Sequence, residues 1–225
     1  MHVDWKFTGD GLLAFAGGAL ALFGVWLSNR RSVRNIQMQI DTEKQAEDDK
    51  QEAERQALAT ALLFEIDHFY RAYLTTTLTL VRGTAGKNVD SGAALALSVA
   101  MRIEPAPFDI YQGNTGRLGS LGLETARSVI RFYQIASDLK DDVRRYLNCL
   151  SGGHESRPFT AAIEAISLNL KVGALETCSW LCQTADLPFD STDIAVASEI
   201  TQIKELATSK GIPIRWPEGL GQAGR

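Results

Sequence analysis

Cysteine, histidine and proline are scarce in this 225-residue chain, with three, three and six copies. Three cysteines are an odd number and too few to staple a chain this long, which excludes a disulfide scaffold and agrees with a reducing compartment. Cys178 and Cys182 stand four residues apart on one helix face, where they read as small apolar residues packing beside Trp180 and Leu181. Glycine and proline are absent from Asn29 to Arg82, so nothing in that stretch interrupts a helix. Strand alternation is missing apart from Thr77 to Val81, which ends a helical pattern and has no partner run. No basic stripe with interleaved aromatics occurs and the net charge is −4, so no nucleic-acid partner is expected.

Signatures of chemistry are absent too. Gly113, Gly116, Gly119 and Gly122 recur at intervals of three before a helix, where backbone amides can cradle an anion, yet no strand precedes them and no Gly-Lys-Ser/Thr follows. A flexible turn with helix-start chemistry is the expectation. Glu65 and His68 have the Glu-x-x-His spacing of di-iron bundles, but a second copy is lacking and His154 sits in a Gly-Gly-His-Glu loop. His68 is expected at or near the surface beside Asp67. Neither Gly-x-Ser-x-Gly nor a local Cys and His pair is present. Catalytic residues are therefore unknown, no cofactor or metal is expected, and whether the chain is an enzyme stays open.

What the chain does have is an apolar run from Gly11 to Leu27, seventeen uncharged residues between Asp10 and Asn29-Arg30-Arg31. At 1.5 Å per residue the run makes a helix of about 25 Å, slightly short of the ~30 Å hydrocarbon core. Trp5, Phe7 and Trp26 could seat its ends in the interface. A removable signal peptide would need a positive leading segment and a small-x-small site after the run, whereas Asp4, Lys6 and Asp10 precede it and Ser28-Asn29-Arg30-Arg31 follows. We therefore read residues 11–28 as a single transmembrane helix after a flank of residues 1–10. The basic collar Arg30, Arg31 and Arg34 should stay cytoplasmic, facing anionic lipid head groups, which places the C-terminal domain in the cytoplasm of an inner (plasma) membrane protein. Gly11, Ala14, Gly18, Ala21 and Val25 recur at spacings of three and four, a stripe that could let two anchors associate as a homo-oligomer.

Residues 29–57 combine the collar with an acidic stalk. Seven acids and three bases between residues 35 and 57 give −4, equal to the charge of the whole chain. The stalk should be a solvated helix or a marginal coiled coil, since only Ile36, Ile40, Ala46, Ala53 and Ala57 give it an apolar face. From Leu58 the pattern turns amphipathic, with Leu62, Ile66, Phe69 and Tyr73 on the same face. Residues 58–210 are read as a cytoplasmic helical bundle, large enough to bury a core. Its clearest helix starts at Leu123 and carries Val129, Phe132, Ala136, Leu139, Val143, Tyr146 and Leu150 in strict three-four alternation. After Ser151-Gly152-Gly153 another helix carries Ile163, Ile166, Leu170, Gly173, Thr177 and Trp180. A last one, capped by Ser191 or Thr192, carries Ile194, Ala197, Ile200, Ile203 and Leu206. A weak helix is expected over Ser91 to Arg102, and residues 211–225 are expected to form an irregular tail. The fold class is all-α: transmembrane helix, stalk and soluble bundle.

The stretch Phe108-Asp109-Ile110-Tyr111-Gln112-Gly113-Asn114, then Arg117-Leu118-Gly119-Ser120-Leu121, then Ile130-Arg131-Phe132-Tyr133 resembles a pattern in small, uncharacterised, membrane-anchored bacterial proteins. The resemblance implies an inner-membrane protein with a cytoplasmic helical domain and assigns no catalytic residue. Read physically, Asn114 or Ser120 could cap a helix, Leu118 and Leu121 could staple it, and Tyr111 could pack on the helix that follows. Two functions fit these features. One is a membrane-tethered interaction or signalling module with a protein partner. The alternative is a membrane-anchored enzyme or effector, for example one associated with phage defence, whose site lies in a cleft near Arg117, Tyr133 or His68.

Overall fold

The long first element is α1 (Lys6–Phe69), helix-favouring and free of glycine and proline from Asn29 on, in a computed structural model that describes residues 6–84, 108–151, 157–189 and 194–215. Side chains are described within these segments except at 6–16, 19, 76, 80, 82–84, 150, 151, 157 and 158. The expected helix over Ser91 to Arg102, the caps Ser191 and Thr192, and Leu150 as a core residue lie outside these limits. The chain divides into two compact units, residues 1–53 and 54–225, and α1 runs from one into the other.

In the first unit nearly every described side chain of α1 is exposed, including Val33, Ile36, Met38 and Ile40. Its contacts are local: Phe23 stacks on Trp26, the Arg30 guanidinium lies 5.2 Å over the Trp26 ring, and Gln37 donates to Asp41 four residues on at 3.1 Å. Among the described residues no helix is long and apolar enough to cross a membrane, and the first part of the apolar run, 11–16, lies outside the described side chains.

The second unit is all-helical among its described residues. The last turns of α1 continue into a π-helical turn (Tyr70–Leu74) and α2 (Thr75–Thr84), so Thr77 to Val81 are helical and not a strand. The π turn inserts a residue into the ladder and shifts its phase, burying Tyr70 and Leu74 besides the expected Tyr73. A short α3 (Asp109–Gly113) and a 3₁₀ turn (Thr115–Leu121) lead into α4 (Leu123–Ser151), which packs antiparallel on α5 (Arg157–Thr184) in the most extensive pairing of the fold. Gly122, at φ +88°, makes the corner before α4, a conformation that side-chain-bearing residues rarely adopt.

The inward face read for α4 is observed: Val129, Phe132, Ala136, Leu139, Val143 and Tyr146 are buried. On α5 burial goes further than the one-face pattern predicts. All eight residues from Val172 to Ser179 are buried, so two turns of α5 are covered on every side and form the centre of the bundle. A hydroxyl ladder, Thr125 with Thr184 (3.2 Å) and Ser128 with Thr177 (2.9 Å), lines the α4/α5 seam. The last helix differs from expectation: it breaks at Glu199 into α6 (Ala195–Ser198) and α7 (Ile200–Ser209). Ile194 and Ile203 are buried as read, whereas Leu206 is 45% exposed and Ala207 is buried in its stead.

Candidate functional site

The polar heart of the bundle begins with two carboxylates on the last turns of α1. Glu65 accepts the backbone N–H of Ile110 at 2.9 Å through Oε1, and that of Tyr111 at 3.2 Å through Oε2. Phe108, which precedes α3, offers no side-chain cap, so Glu65 caps that short helix from a distant element. The Tyr133 hydroxyl donates to Glu65 Oε2 as well. Burial, followed by the neighbouring Glu65 carboxylate, pushes the Tyr133 phenol far above its ordinary range, which keeps it a protonated donor at physiological pH. Asp67 repeats the arrangement on another flank. Its Oδ1 accepts the Ala195 N–H at the start of α6 at 2.7 Å, while Oδ2 pairs with Arg71 at 2.7 Å.

Around Glu65 the aromatic residues form a cluster. Tyr111 stacks on Tyr133 with ring centroids 4.0 Å apart, and Phe108 meets the Tyr133 ring edge-on at 4.8 Å. Phe69 then links Phe108, Phe132 and Tyr73. Lys140 holds its ammonium 5.0 Å from the Phe108 ring centre. Tyr111 thus packs on the following helix as read from the sequence, and Leu118 and Leu121 are buried as staples. The expected caps are not formed: Asn114 donates to the Ile110 carbonyl and Ser120 to the Arg117 carbonyl, so both hydroxyl and amide serve the preceding turns.

A third carboxylate went unread. Glu176 is 4% exposed on α5; it accepts the Arg215 N–H at 2.6 Å and faces the Arg131 guanidinium at 3.8 Å. Burial raises its pKa, and the Arg215 N–H and the two arginines oppose that shift. The sequence holds a signal for it, since Glu176 is the single charged residue between Lys171 and Asp186. Nearby, Lys171 pairs with Glu199 at 2.5 Å and lies 5.7 Å over the Tyr70 ring. Cys178 and Cys182 are free and buried; burial pushes the Cys178 thiol well up and the Cys182 thiol to about 11. Both stay protonated at neutral pH, as core packing residues and not nucleophiles.

The residues near which a cleft was expected differ in exposure and partner. Tyr133 faces inward onto Glu65, His68 is exposed, and Arg117 pairs at the surface with Glu54 at 2.7 Å. Among the described residues no cluster of histidine, cysteine and carboxylate side chains could hold a metal. Two concavities among the described residues of the second unit are open to solvent. One of about 490 Å³ runs along α4 beside Leu123, Ala126, Ile130 and Arg131, and another of about 430 Å³ lies between Ala57, Leu58 and Asn114 under the Arg117 and Glu54 pair. Of the small-residue stripe, Gly18, Ala21 and Val25 are exposed, whereas Gly11 and Ala14 lie outside the described side chains. Arg30, Arg31 and Arg34 are exposed. Comparison with protein-family models, with curated proteins and with solved structures finds no match to this chain.

Proposed function

We propose that this chain is a single-pass, membrane-tethered protein whose helical domain is a protein-interaction or signalling module. The observation that carries the reading is how the bundle distributes its polar and apolar groups. The half-buried carboxylates Glu65 and Asp67 and the buried Glu176 are committed to backbone N–H groups, while Leu123 is 72% and Ile130 38% exposed along α4 beside Arg127 and Arg131. Carboxylates held by the fold's own backbone donors serve structure, and an exposed apolar strip flanked by charge suits a protein partner. The tether rests on the apolar run 11–27, the collar Arg30, Arg31 and Arg34, and the resemblance carried by residues 108–133. The enzyme or effector alternative would place a site in a cleft near Arg117, Tyr133 or His68; of these, Arg117 is engaged with Glu54 and Tyr133 with Glu65.

The experiment is a topology map joined to membrane extraction. The full chain should resist alkaline carbonate, and a C-terminal green fluorescent protein fusion should fluoresce while an alkaline phosphatase fusion stays inactive. Extraction by carbonate would remove the tether, and the opposite fusion pattern would reverse the topology. Replacing Arg30, Arg31 and Arg34 by Asn with added Lys before Asp10 should invert or scramble insertion. In a bilayer reporter, Ala14→Leu with Gly18→Leu should abolish anchor association, and no loss of signal would make the small-residue stripe compositional.

A further inference from the structure

The tail expected to be merely irregular is docked in its first residues. After α7 the chain reverses at Gly211, whose φ is +68°, with the Ile212 N–H returned to the Ala207 carbonyl at 2.9 Å and the Gly211 N–H to that of Thr208 at 3.1 Å. Residues 212–215 then run without helix. Ile212 and Ile214, two apart, are half-buried against the core. The backbone N–H of Arg215 ends on Glu176 Oε1 at 2.6 Å, and the charge of Arg215 favours the ionised carboxylate. The alternation of half-buried and exposed residues is the pattern by which an extended peptide binds: side chains at alternate positions supply the fit and a main-chain donor supplies the anchor.

Glu176 is built into the most covered part of α5, and a buried carboxylate stripped of its donor carries a large desolvation penalty. Arg131, at 3.8 Å and 54% exposed, is a weak substitute for the Arg215 N–H. A site that has lost its strap is therefore left with the core surface under Ile212 and Ile214 uncovered and a carboxylate in need of a donor. We propose that the cradle formed by Glu176 and the core flank under Ile212 and Ile214 is a docking site for an extended protein segment with branched aliphatic residues at alternate positions followed by a basic residue, and that the chain's own Ile212–Arg215 occupies it in cis. Lifting the strap about Gly211 opens the site to a partner segment of the same chemistry. The proposal names a surface and a ligand class for the interaction reading, but it needs no membrane, so its failure leaves the tether untouched.

The test uses the full chain in detergent and a labelled synthetic peptide of the sequence from Ser209 to Arg215, followed by anisotropy. A strap-broken chain, Ile212→Ser with Ile214→Ser, should bind the peptide at least about tenfold more tightly than the wild type, whose site is filled. Adding Glu176→Leu, which removes the acceptor without burying a charge, should abolish that binding. Equal binding to wild type and strap-broken chains, binding that survives Glu176→Leu, or no saturable binding to the strap-broken chain would each overturn the proposal. Should the double variant aggregate, Arg215→Pro, which removes the donated N–H together with the guanidinium, serves as the strap-broken chain. In a second readout, deuterium exchange over residues 210–215, Glu176→Gln should keep the strap protected because its amide oxygen still accepts. Glu176→Leu should speed exchange by about tenfold or more, without change in α4, and unchanged exchange would mean that Glu176 does not hold the strap.

Discussion

Residues 29–53 and 58–69 lie on the same helix, and the two stretches differ in almost everything except being helical. In the first, Val33, Ile36, Met38 and Ile40 are all exposed; in the second, Leu58, Leu62, Ile66 and Phe69 are all buried. Both are free of glycine and proline and rich in helix-favouring residues, so backbone propensity accounts for the shared conformation. Burial needs something more: an apolar residue at every third or fourth position sustained over several turns, and another element to receive it. After Ile40 the first stretch gives way to Glu43, Glu47 and Lys50 at the corresponding spacing. Helix formation is thus decided within each stretch, and packing only where the pattern persists.

The comparison is broken most strongly by truncating the buried side. Phe132→Ala or Leu139→Ala, each at 0% exposure, should destabilise the bundle by about 2 to 5 kcal/mol in urea melts followed by circular dichroism, while Ile36→Ala should leave the same transition within about 0.5 kcal/mol. A chain beginning at Gln56 should keep a cooperative, mainly helical melt, and a broad non-cooperative one would show that the missing part of α1 completes the core.

Next come the carboxylates. Glu65→Ala strands three donors, the N–H groups of Ile110 and Tyr111 and the Tyr133 hydroxyl, and should cost about 1 to 3 kcal/mol or more. Tyr133→Phe leaves Glu65 with both backbone donors and should cost less. If Glu65→Ala were no worse than Tyr133→Phe, the cap on α3 would contribute little.

Glu176 gives a pH signature. Because burial raises its folded-state pKa above the unfolded value, its favourable contribution is present below the ordinary carboxylate range and is lost as pH rises through the folded value. Glu176→Gln, which retains an acceptor for Arg215, should therefore gain most relative to wild type at pH 7, and the gap should narrow on acidification below about pH 4. A gap that widens toward acid would mean that the Arg131 and Arg215 charges outweigh burial.

The smallest effects belong to the surface. Arg117→Ala breaks an ion pair with both partners about half exposed and should cost no more than about 1 kcal/mol, less still in high salt. Asp141→Ala should do equally little. Asp142 is a poorer control, because its side chain is only 19% exposed beside Arg145.

The sequence by itself determined the helices and most of the inward positions. Val129, Phe132, Ala136, Leu139, Val143 and Tyr146 repeat at three and four, and that information is local: the period of the helix and the chemistry of each side chain suffice. It also placed Tyr111 against the helix that follows and the two cysteines in the core. Tertiary structure alone decided the fate of the polar residues. Glu65 meets its donors 45 and 46 positions away, Asp67 one 128 away, and Glu176 one 39 away, so no spacing rule along the chain could pair them. The π turn at Tyr70, the break at Glu199 and the docking of Ile212–Arg215 belong to the same class. Each is a local departure from regular helix; at the strap it supplies the buried Glu176 with a donor, a requirement that appears only when the elements pack.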